Sequence, residues 1–115
     1  TDANVGAGLP PGRYRFGAEE VEFARQGGPA RLTEHSRFPG ALAGSGLTLD
    51  QAVRNAVDLI GVSIPQAVRM ASANPARVLG LAQQGRVHSG YHADLVLLDG
   101  SLHVQRTWVR GVQVY

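Results

Sequence analysis

The hydrophobic period changes twice along this chain, and this change constrains the fold more than any other feature of the sequence. In residues 13–33 polar and apolar side chains alternate with the period of two that is typical of β-strands. From Leu47 onward apolar residues recur three and four positions apart, which places them on one helical face. Beyond Leu81 the strand pattern returns. The order of strands, helices and strands predicts a mixed α/β chain.

The helical region, residues 48–81, carries its own start and stop signals. Three start signals combine a capping side chain with a glutamine or an early proline: Thr48 with Gln51, Ser63 with Pro65 and Gln66, and Asn74 with Pro75. Gly61 and Gly80 follow the last positions of the first and third helices, where glycine commonly ends a helix. The sequence therefore predicts three helices. Four apolar residues of the second are expected to face inward: Ile64, Ala67, Val68 and Ala71.

The last part of the chain predicts four short strands, at residues 86–88, 94–99, 103–109 and 112–115. Glycine-containing turns separate them. Residues 95–98 are apolar on both faces, which predicts a strand buried between two layers.

Composition excludes several classes of protein. No apolar run approaches the about 20 residues that cross a bilayer, so no membrane association is expected. The eleven basic residues are all arginine and are scattered, which argues against a nucleic-acid partner. The chain has no cysteine. Any metal must therefore be held by His, Asp or Glu, and the sequence fits a reducing compartment, the cytoplasm.

The common catalytic motifs are absent from the sequence: there is no nucleophile elbow, phosphate loop or paired histidines on a helix. Three neighbouring carboxylates, Glu19, Glu20 and Glu22, are interpreted as solvated, because adjacent strand positions point in different directions.

The four histidines are likewise not expected to form a metal site. His88 and His92 are four residues apart, but Gly90 and strand-like neighbours separate them, so they do not share a helical face. His35 and His103 are isolated and are interpreted as surface or hydrogen-bonded residues.

Two features remain as candidate chemistry. Residues 43–46 form a side-chain-poor stretch before the predicted helix, whose N-terminus favours an anion or a polar substrate. Taken alone, an ordinary glycine-rich connection is the simpler interpretation. Asp2 lies among small residues before a Gly/Pro-rich loop, a position that catalytic groups take at the strand ends of a β/α barrel. Its spacing by itself favours an aspartate that stabilises a turn.

The order of several segments resembles a known family. These segments are residues 1–3, 8–17, 42–49, 52–55, 70–76 and 90–96. Together they are similar to the C-terminal part of the N-acetylglucosamine-6-phosphate deacetylase family, within the amidohydrolase superfamily, and the likeness runs the full length of the chain. Residues 74–76 and 90–96 match amidohydrolases in general, whereas residues 1–3 and 43–49 match the deacetylases.

The resemblance implies the C-terminal part of a metal-dependent (β/α)8 amidohydrolase barrel together with the C-terminal strands of a β-sandwich domain. Residues 1–82 would be the end of the barrel: the tip of its last strand, a β excursion at 13–33, and closing helices at 48–81. Residues 83–115 would be the C-terminal half of the sandwich. The complete protein would be a cytoplasmic homodimer that acts on a small molecule.

The resemblance also implies the chemistry. Asp2 would be the catalytic carboxylate and a ligand of a divalent metal of the zinc or iron class. Leu42, Ala43 and Gly44 would bind the substrate through their backbone groups. The reaction would convert N-acetylglucosamine 6-phosphate into glucosamine 6-phosphate and acetate, in amino-sugar catabolism. The other metal ligands would come from residues outside this sequence, so the chain alone is expected to be inactive.

Two alternatives remain open at the level of the sequence. One is the end of a different amidohydrolase, such as a cyclic amidohydrolase or a deaminase, that shares only the general segments. The other is a non-catalytic module that pairs its β-sheet with a partner.

Overall fold

The computed structural model describes residues 1–115, which form two compact units, Thr1–Ala52 and Val53–Tyr115. No helix in it combines the length and the apolar character that crossing a membrane requires. The secondary structure is mixed α/β, as the hydrophobic periods predict.

The first unit is built on a four-stranded antiparallel sheet. Its strands are β1 (Gly12–Phe16), β2 (Glu19–Phe23), β3 (Pro29–Leu32) and β4 (Leu42–Ser45), paired in that order. The first three strands confirm the predicted β excursion at 13–33. The fourth strand shows that the prediction of a loop at residues 43–46 is wrong for residues 43–45. These small residues form a strand because β3 lies beside them, with Arg31 opposite Leu42 and Pro29 opposite Ser45.

The core of this unit follows from the period-two pattern of β2. Val21 and Phe23 lie two positions apart, so both point to the same face, where they are buried together with Ala30 of β3. The Tyr14 ring meets the Phe23 ring edge to face, with the centroids 6.0 Å apart. Burial of a phenylalanine side chain stabilises a fold by about 1.5–3 kcal/mol. Phe23 is therefore the main apolar anchor of the unit.

The predicted first helix is present, with one change of winding. An α-helix, α1 (Leu49–Asn55), continues directly into a π-helical turn, Ala56–Ile60. Gly61 ends it with a left-handed backbone (φ 81°), and its N–H donates to the carbonyl of Val57. This confirms the predicted stop signal, because glycine adopts positive φ without steric cost.

The second helix, α2 (Ile64–Ala71), begins where its capping signal predicts. The side-chain oxygen of Gln66 accepts hydrogen bonds from the Ser63 N–H (2.9 Å) and the Ser63 hydroxyl (2.7 Å). Of the apolar residues expected to face inward, Ala67 is buried but Ile64 and Val68 are 47% and 42% exposed. That expectation is wrong for these two residues, because the neighbouring elements of this unit leave most of that helix face uncovered.

The third helix, α3 (Ala73–Val78), begins earlier than predicted. The cap is Ser72 and not Asn74, since the Ala76 N–H donates to the Ser72 carbonyl and so sets the first helical hydrogen bond. Pro75 still lies in the first turn, where its missing N–H has no partner to lose.

The second unit ends in a three-stranded antiparallel sheet of β5 (Leu95–Leu98), β6 (Val104–Val109) and β7 (Val112–Gln113). These strands confirm three of the four predicted ones. Residues 86–88 are not a strand; they lie between Gly85 and Gly90, both at positive φ, and have no strand to pair with. The predicted burial of β5 is also wrong, because Val96 and Leu97, on opposite faces, remain 56% and 48% exposed.

Candidate active site

Asp2 lies beside the C-terminal end of β4. Ala3 forms a parallel bridge with Ser45. On either side of this bridge, the Ser45 N–H donates to the Asp2 carbonyl (2.8 Å) and the Asn4 N–H donates to the Ser45 carbonyl (3.0 Å). The chain start therefore runs parallel to β4, with the carboxyl ends of the two segments adjacent.

The backbone of Asp2 is held in an unusual conformation. Its φ is 51°, in the left-handed region that non-glycine residues rarely adopt. Such backbone strain costs of order 1–3 kcal/mol and persists only where surrounding contacts impose it. Here the contacts come from Ser45, whose N–H binds the Asp2 carbonyl and whose hydroxyl donates to the Thr1 carbonyl (2.5 Å).

The carboxylate of Asp2 lies next to Gly44. A Cβ atom at Gly44 would stand 2.7 Å from the Asp2 carbonyl oxygen and 3.6 Å from Asp2 Oδ2. Gly44 also has φ 86°, so the position requires glycine both for its backbone angle and for the close approach. The structure thus brings together Asp2 and Gly44, two residues that are 42 positions apart in sequence. Asp2 itself is exposed, which leaves its carboxylate accessible to a ligand.

The other two candidate residues lie further along β4. The carbonyl oxygen of Ala43 accepts a 2.6 Å hydrogen bond from Asn4 Nδ2. Leu42 begins the strand opposite Arg31, at the end away from Ser45, and is 65% exposed. The backbone of β4 therefore forms one continuous edge beside Asp2, with its side-chain-poor part nearest the carboxylate.

The residues of this chain do not make a complete metal site. No group of three or more His, Asp or Glu side chains comes together in the structure. Protein sites for zinc supply three or four ligands at about 2 Å. Asp2 offers one carboxylate, so the donor set of residues 1–115 does not by itself fit a bound divalent ion.

The carboxylates of β2 are engaged with arginine. Arg13 donates a 2.8 Å hydrogen bond to Glu34 and lies 3.9 Å from Glu20 and 3.7 Å from Glu22. All four side chains are about half exposed. The hydrogen bond from Arg13 lowers the pKa of the Glu34 carboxyl, and the same contact raises the pKa of Arg13. This cluster is an ion-pair network on the sheet surface.

The histidines have separate partners. His92 Nδ1 lies 3.2 Å from Gln84 Nε2. His88 contacts the Ser89 carbonyl and packs edge to face on Tyr91. His35 lies 3.6 Å from the Glu34 carboxylate, and His103 lies 3.7 Å from Asp99. The pKa of Asp99 is lowered, mainly because its carboxylate accepts a hydrogen bond from the main-chain N–H of His103.

Sequence reasoning assigned no individual role to Asn4 or Ser45. Ser45 bonds to the Asp2 carbonyl, and Asn4 bonds to the carbonyls of Ala43 and Ser45. The only local signal is that Asn4 is followed two residues later by a glycine, a spacing typical of an asparagine turn. The bonds to β4 have no local signal, because their partners lie about 40 residues along the chain.

The sequence of this chain places it among the amidohydrolases. The sequence pattern of the amidohydrolase family matches residues 35–114, and the chain belongs to this family. Members of the superfamily are generally metal-dependent.

The chain is similar in sequence to sugar-phosphate deacetylases. It is 46% identical over 112 residues to the putative N-acetylgalactosamine-6-phosphate deacetylase of Escherichia coli K12, covering 96% of this chain and 63% of the relative. It is 38% identical to the human N-acetylglucosamine-6-phosphate deacetylase, covering 100% of this chain and 27% of that protein. The chain thus spans less than two thirds of the relatives it matches.

Solved structures of N-acetylglucosamine-6-phosphate deacetylases also resemble this chain in fold. The N-acetylglucosamine-6-phosphate deacetylase of Thermotoga maritima superimposes with a TM-score of 0.82 at 38% identity, over 100% of this chain and 30% of that one. A mutant of the Mycobacterium smegmatis deacetylase in complex with N-acetyl-D-glucosamine-6-phosphate gives a TM-score of 0.76 at 34% identity, over 97% and 29%.

Proposed function

We propose that this chain is the C-terminal part of a deacetylase that hydrolyses N-acetylglucosamine 6-phosphate to glucosamine 6-phosphate and acetate. The observation that carries the proposal is the Asp2 carboxylate, held in a strained backbone beside Gly44. The named activities of the relatives and structural neighbours support the same reaction class.

Asp2 is the proton-transferring group in this proposal. Water adds to the acetamide carbonyl and loses a proton, and the C–N bond breaks only after the departing nitrogen gains one. A single carboxylate accepts the first proton and donates it in the second step, so no net proton remains on the protein. Asp2 is suited to this because its carboxylate is accessible while its backbone is fixed by Ser45.

Leu42, Ala43 and Gly44 bind the sugar in this proposal, since their backbone runs past the carboxylate with little side chain near it. Residues 1–82 are the end of a (β/α)8 barrel and residues 83–115 the C-terminal half of a β-sandwich. The parallel bridge from Ala3 to Ser45, followed directly by α1, supports a barrel because parallel neighbours are its repeating unit.

The proposal includes a divalent ion of the zinc or iron class, with Asp2 as the one ligand from this chain and the others from outside residues 1–115. The proposal also places the complete protein in the cytoplasm as a homodimer. Light scattering, which reports molar mass, tests the dimer.

A second substrate has a specific observation in its favour. The relatives at 46% identity are named as N-acetylgalactosamine-6-phosphate deacetylases, whereas the N-acetylglucosamine-6-phosphate deacetylases reach 34–38%. The two sugars differ only in the configuration at C4, so the same hydrolysis serves both. Comparison of kcat/KM for the two 6-phosphates decides between them.

The test of the proposal is Asp2→Asn in the complete enzyme that carries this chain. Asparagine keeps the shape of the side chain but cannot accept and return a proton. We expect kcat to fall about 100- to 10,000-fold, the range that general acid–base groups contribute. The measurement is acetate release from each sugar phosphate, with circular dichroism to verify the fold.

Asp58→Asn is the matched control, because it removes the same charge from an exposed residue of the π-helical turn. It should leave kcat unchanged. Turnover of Asp2→Asn within a few-fold of the wild type would remove Asp2 from its role. A wild-type enzyme that releases acetate from neither sugar would contradict the proposed substrate class.

A further inference from the structure

The side chain of Asn4 makes a hydrogen bond to β4 in addition to the main-chain bonds that pair residues 2–4 with this strand. Asn4 Nδ2 donates a 2.6 Å hydrogen bond to the carbonyl of Ala43, which lies 39 residues away. The main-chain N–H of the same residue donates to the Ser45 carbonyl. Asn4 therefore holds β4 at two points, and Gly44 lies between them.

Gly44 is also where β4 meets Asp2. The site that a Cβ would occupy on Gly44 is 2.7 Å from the Asp2 carbonyl oxygen and 3.6 Å from both Asp2 Oδ2 and Asn4 Nδ2. The Asn4 amide and the Asp2 carboxylate thus flank the same peptide segment. A movement of the Ala43–Gly44 peptide would change the distance between the strand edge and the carboxylate.

We propose that Asn4 is a positioning residue, whose amide fixes the Ala43–Gly44 backbone against Asp2 and so sets where the carboxylate meets the substrate. This inference rests on the proposed function, since it assigns Asn4 a part in the same reaction. Catalytic groups must be held close to their productive geometry, because a misplacement of about 1 Å can cost of order 100-fold in rate.

The simpler role for Asn4 is a local turn. Its Oδ1 accepts a hydrogen bond from the Gly6 N–H at 3.2 Å, the contact that an asparagine turn makes. That contact uses the oxygen of the amide and leaves the nitrogen free to act elsewhere. The two roles are therefore carried by different atoms and can be separated by substitution.

The experiment compares Asn4→Asp with Asn4→Ala in the complete enzyme. Aspartate retains an oxygen for the Gly6 N–H but has no donor for the Ala43 carbonyl, whereas alanine loses both contacts. If Asn4 positions Asp2, both variants lose about 10-fold or more in kcat while KM changes by less than about 3-fold. Aspartate also places a second negative charge near the Asp2 carboxylate, which can lower kcat by itself. Wild-type kcat in either variant contradicts the proposal, and the hydrogen-exchange measurement below separates loss of positioning from the effect of the added charge.

Tyr14→Phe is the matched control, because Tyr14 Oη donates a hydrogen bond of the same length, 2.6 Å, to the Pro10 carbonyl in the same unit. It should leave kcat unchanged. A loss of kcat in Tyr14→Phe equal to that in Asn4→Asp would mean that any weakened bond in this unit lowers activity, and would overturn the proposal.

A second readout does not depend on the reaction. Hydrogen exchange over residues 42–47, measured by mass spectrometry, reports whether the Ser45 N–H stays bonded to the Asp2 carbonyl. We expect exchange about 10-fold faster in Asn4→Asp and unchanged in Tyr14→Phe. Unchanged exchange in Asn4→Asp overturns the positioning role. If the wild type releases no acetate, the proposed function fails, and this measurement still decides whether Asn4 fixes the strand.

Discussion

The ring of Phe23 supports both segments that form the candidate site. A Cβ at Gly6 would come within 2.2 Å of Phe23 Cε2, and a Cβ at Gly46 within 3.1 Å of Phe23 Cε1. Gly6 follows Asp2 and Asn4 in the first segment, and Gly46 follows β4 in the second. The buried Phe23 side chain therefore packs against both segments, the one around Gly6 and the one around Gly46.

This packing predicts that Gly6→Ala destabilises the protein. The added methyl group has no room beside the Phe23 ring, and overpacking of this kind typically costs about 1–3 kcal/mol. The free energy of unfolding, measured in urea on the complete protein, should fall by that amount. Gly100→Ala is the control, because no atom lies within 4 Å of the position its Cβ would take.

A double-mutant cycle identifies the cause. In a Phe23→Leu background the smaller side chain makes room, so Gly6→Ala should cost less than it does in the wild type. Equal costs in the two backgrounds would mean that the Phe23 ring is not what excludes the methyl group.

For single residues, the sequence identifies candidate site residues more readily than the contacts that hold them in place. The family resemblance singles out Asp2 and Gly44, although the sequence pattern by itself favours an ordinary turn aspartate and an ordinary glycine-rich connection. Asn4 is not singled out, because its main contact is with the Ala43 carbonyl 39 residues away. No local pattern encodes a hydrogen bond between segments that meet only in the folded chain.

Among the elements, β1 and β2 are joined by charge as well as by backbone hydrogen bonds. Arg13 and Glu22 are directly opposite in the register, and Arg13 also reaches Glu34 after β3. The prediction that the β2 carboxylates are solvated describes their exposure. Their shared partner, Arg13, is not predictable from the sequence pattern, because the contact depends on the register of β1 and β2.

The lowered pKa of Glu34 predicts how this network responds to acid. A carboxyl whose pKa is lower in the folded state stabilises the fold above its unfolded pKa, of about 4.3. That contribution is lost as the pH falls through the lower, folded pKa. The urea midpoint of the wild type should therefore exceed that of Glu34→Gln at pH 7, and the gap should close as the pH falls below about 4. The gap is small, because the pair is exposed and screened by water.

Glu19→Gln is the control for this series, since Glu19 lies on β2 of the same unit and makes no ion pair. Glu19→Gln removes the same charge. The difference between its urea midpoint and that of the wild type should stay constant over this pH range. A gap of constant size in Glu34→Gln between pH 7 and pH 3 would contradict the role of the ionised pair.

The elements themselves divide into those specified locally and those specified by neighbours. The capping pair Ser63–Gln66 and the stop at Gly61 are local signals, and both predict helix ends correctly. Strand β4 depends on β3, because its Ala-Gly-Ser sequence has little strand preference of its own. Residues 86–88 fail for the opposite reason: they have strand-forming residues but no strand beside them.

On the scale of the whole molecule, the proposed chemistry requires metal ligands that residues 1–115 do not bring together. Asp2 supplies one carboxylate to the proposed metal, and the structure holds no cluster of three His, Asp or Glu side chains. Loss of ligands weakens metal binding steeply, because each ligand contributes to a site of three or four. The site residues and the division at residue 82 into barrel and sandwich stay predictions from the resemblance.

The 115-residue chain expressed by itself should therefore neither retain a stoichiometric divalent metal nor release acetate. The measurements are metal content by mass spectrometry after dialysis, and acetate release from both sugar phosphates. The complete protein, purified in the same way, is the control and should do both. Retention of one zinc or iron ion per isolated chain would mean that residues 1–115 hold more of the metal site than Asp2. In that case the single-carboxylate account of the donor set is wrong even if no acetate appears.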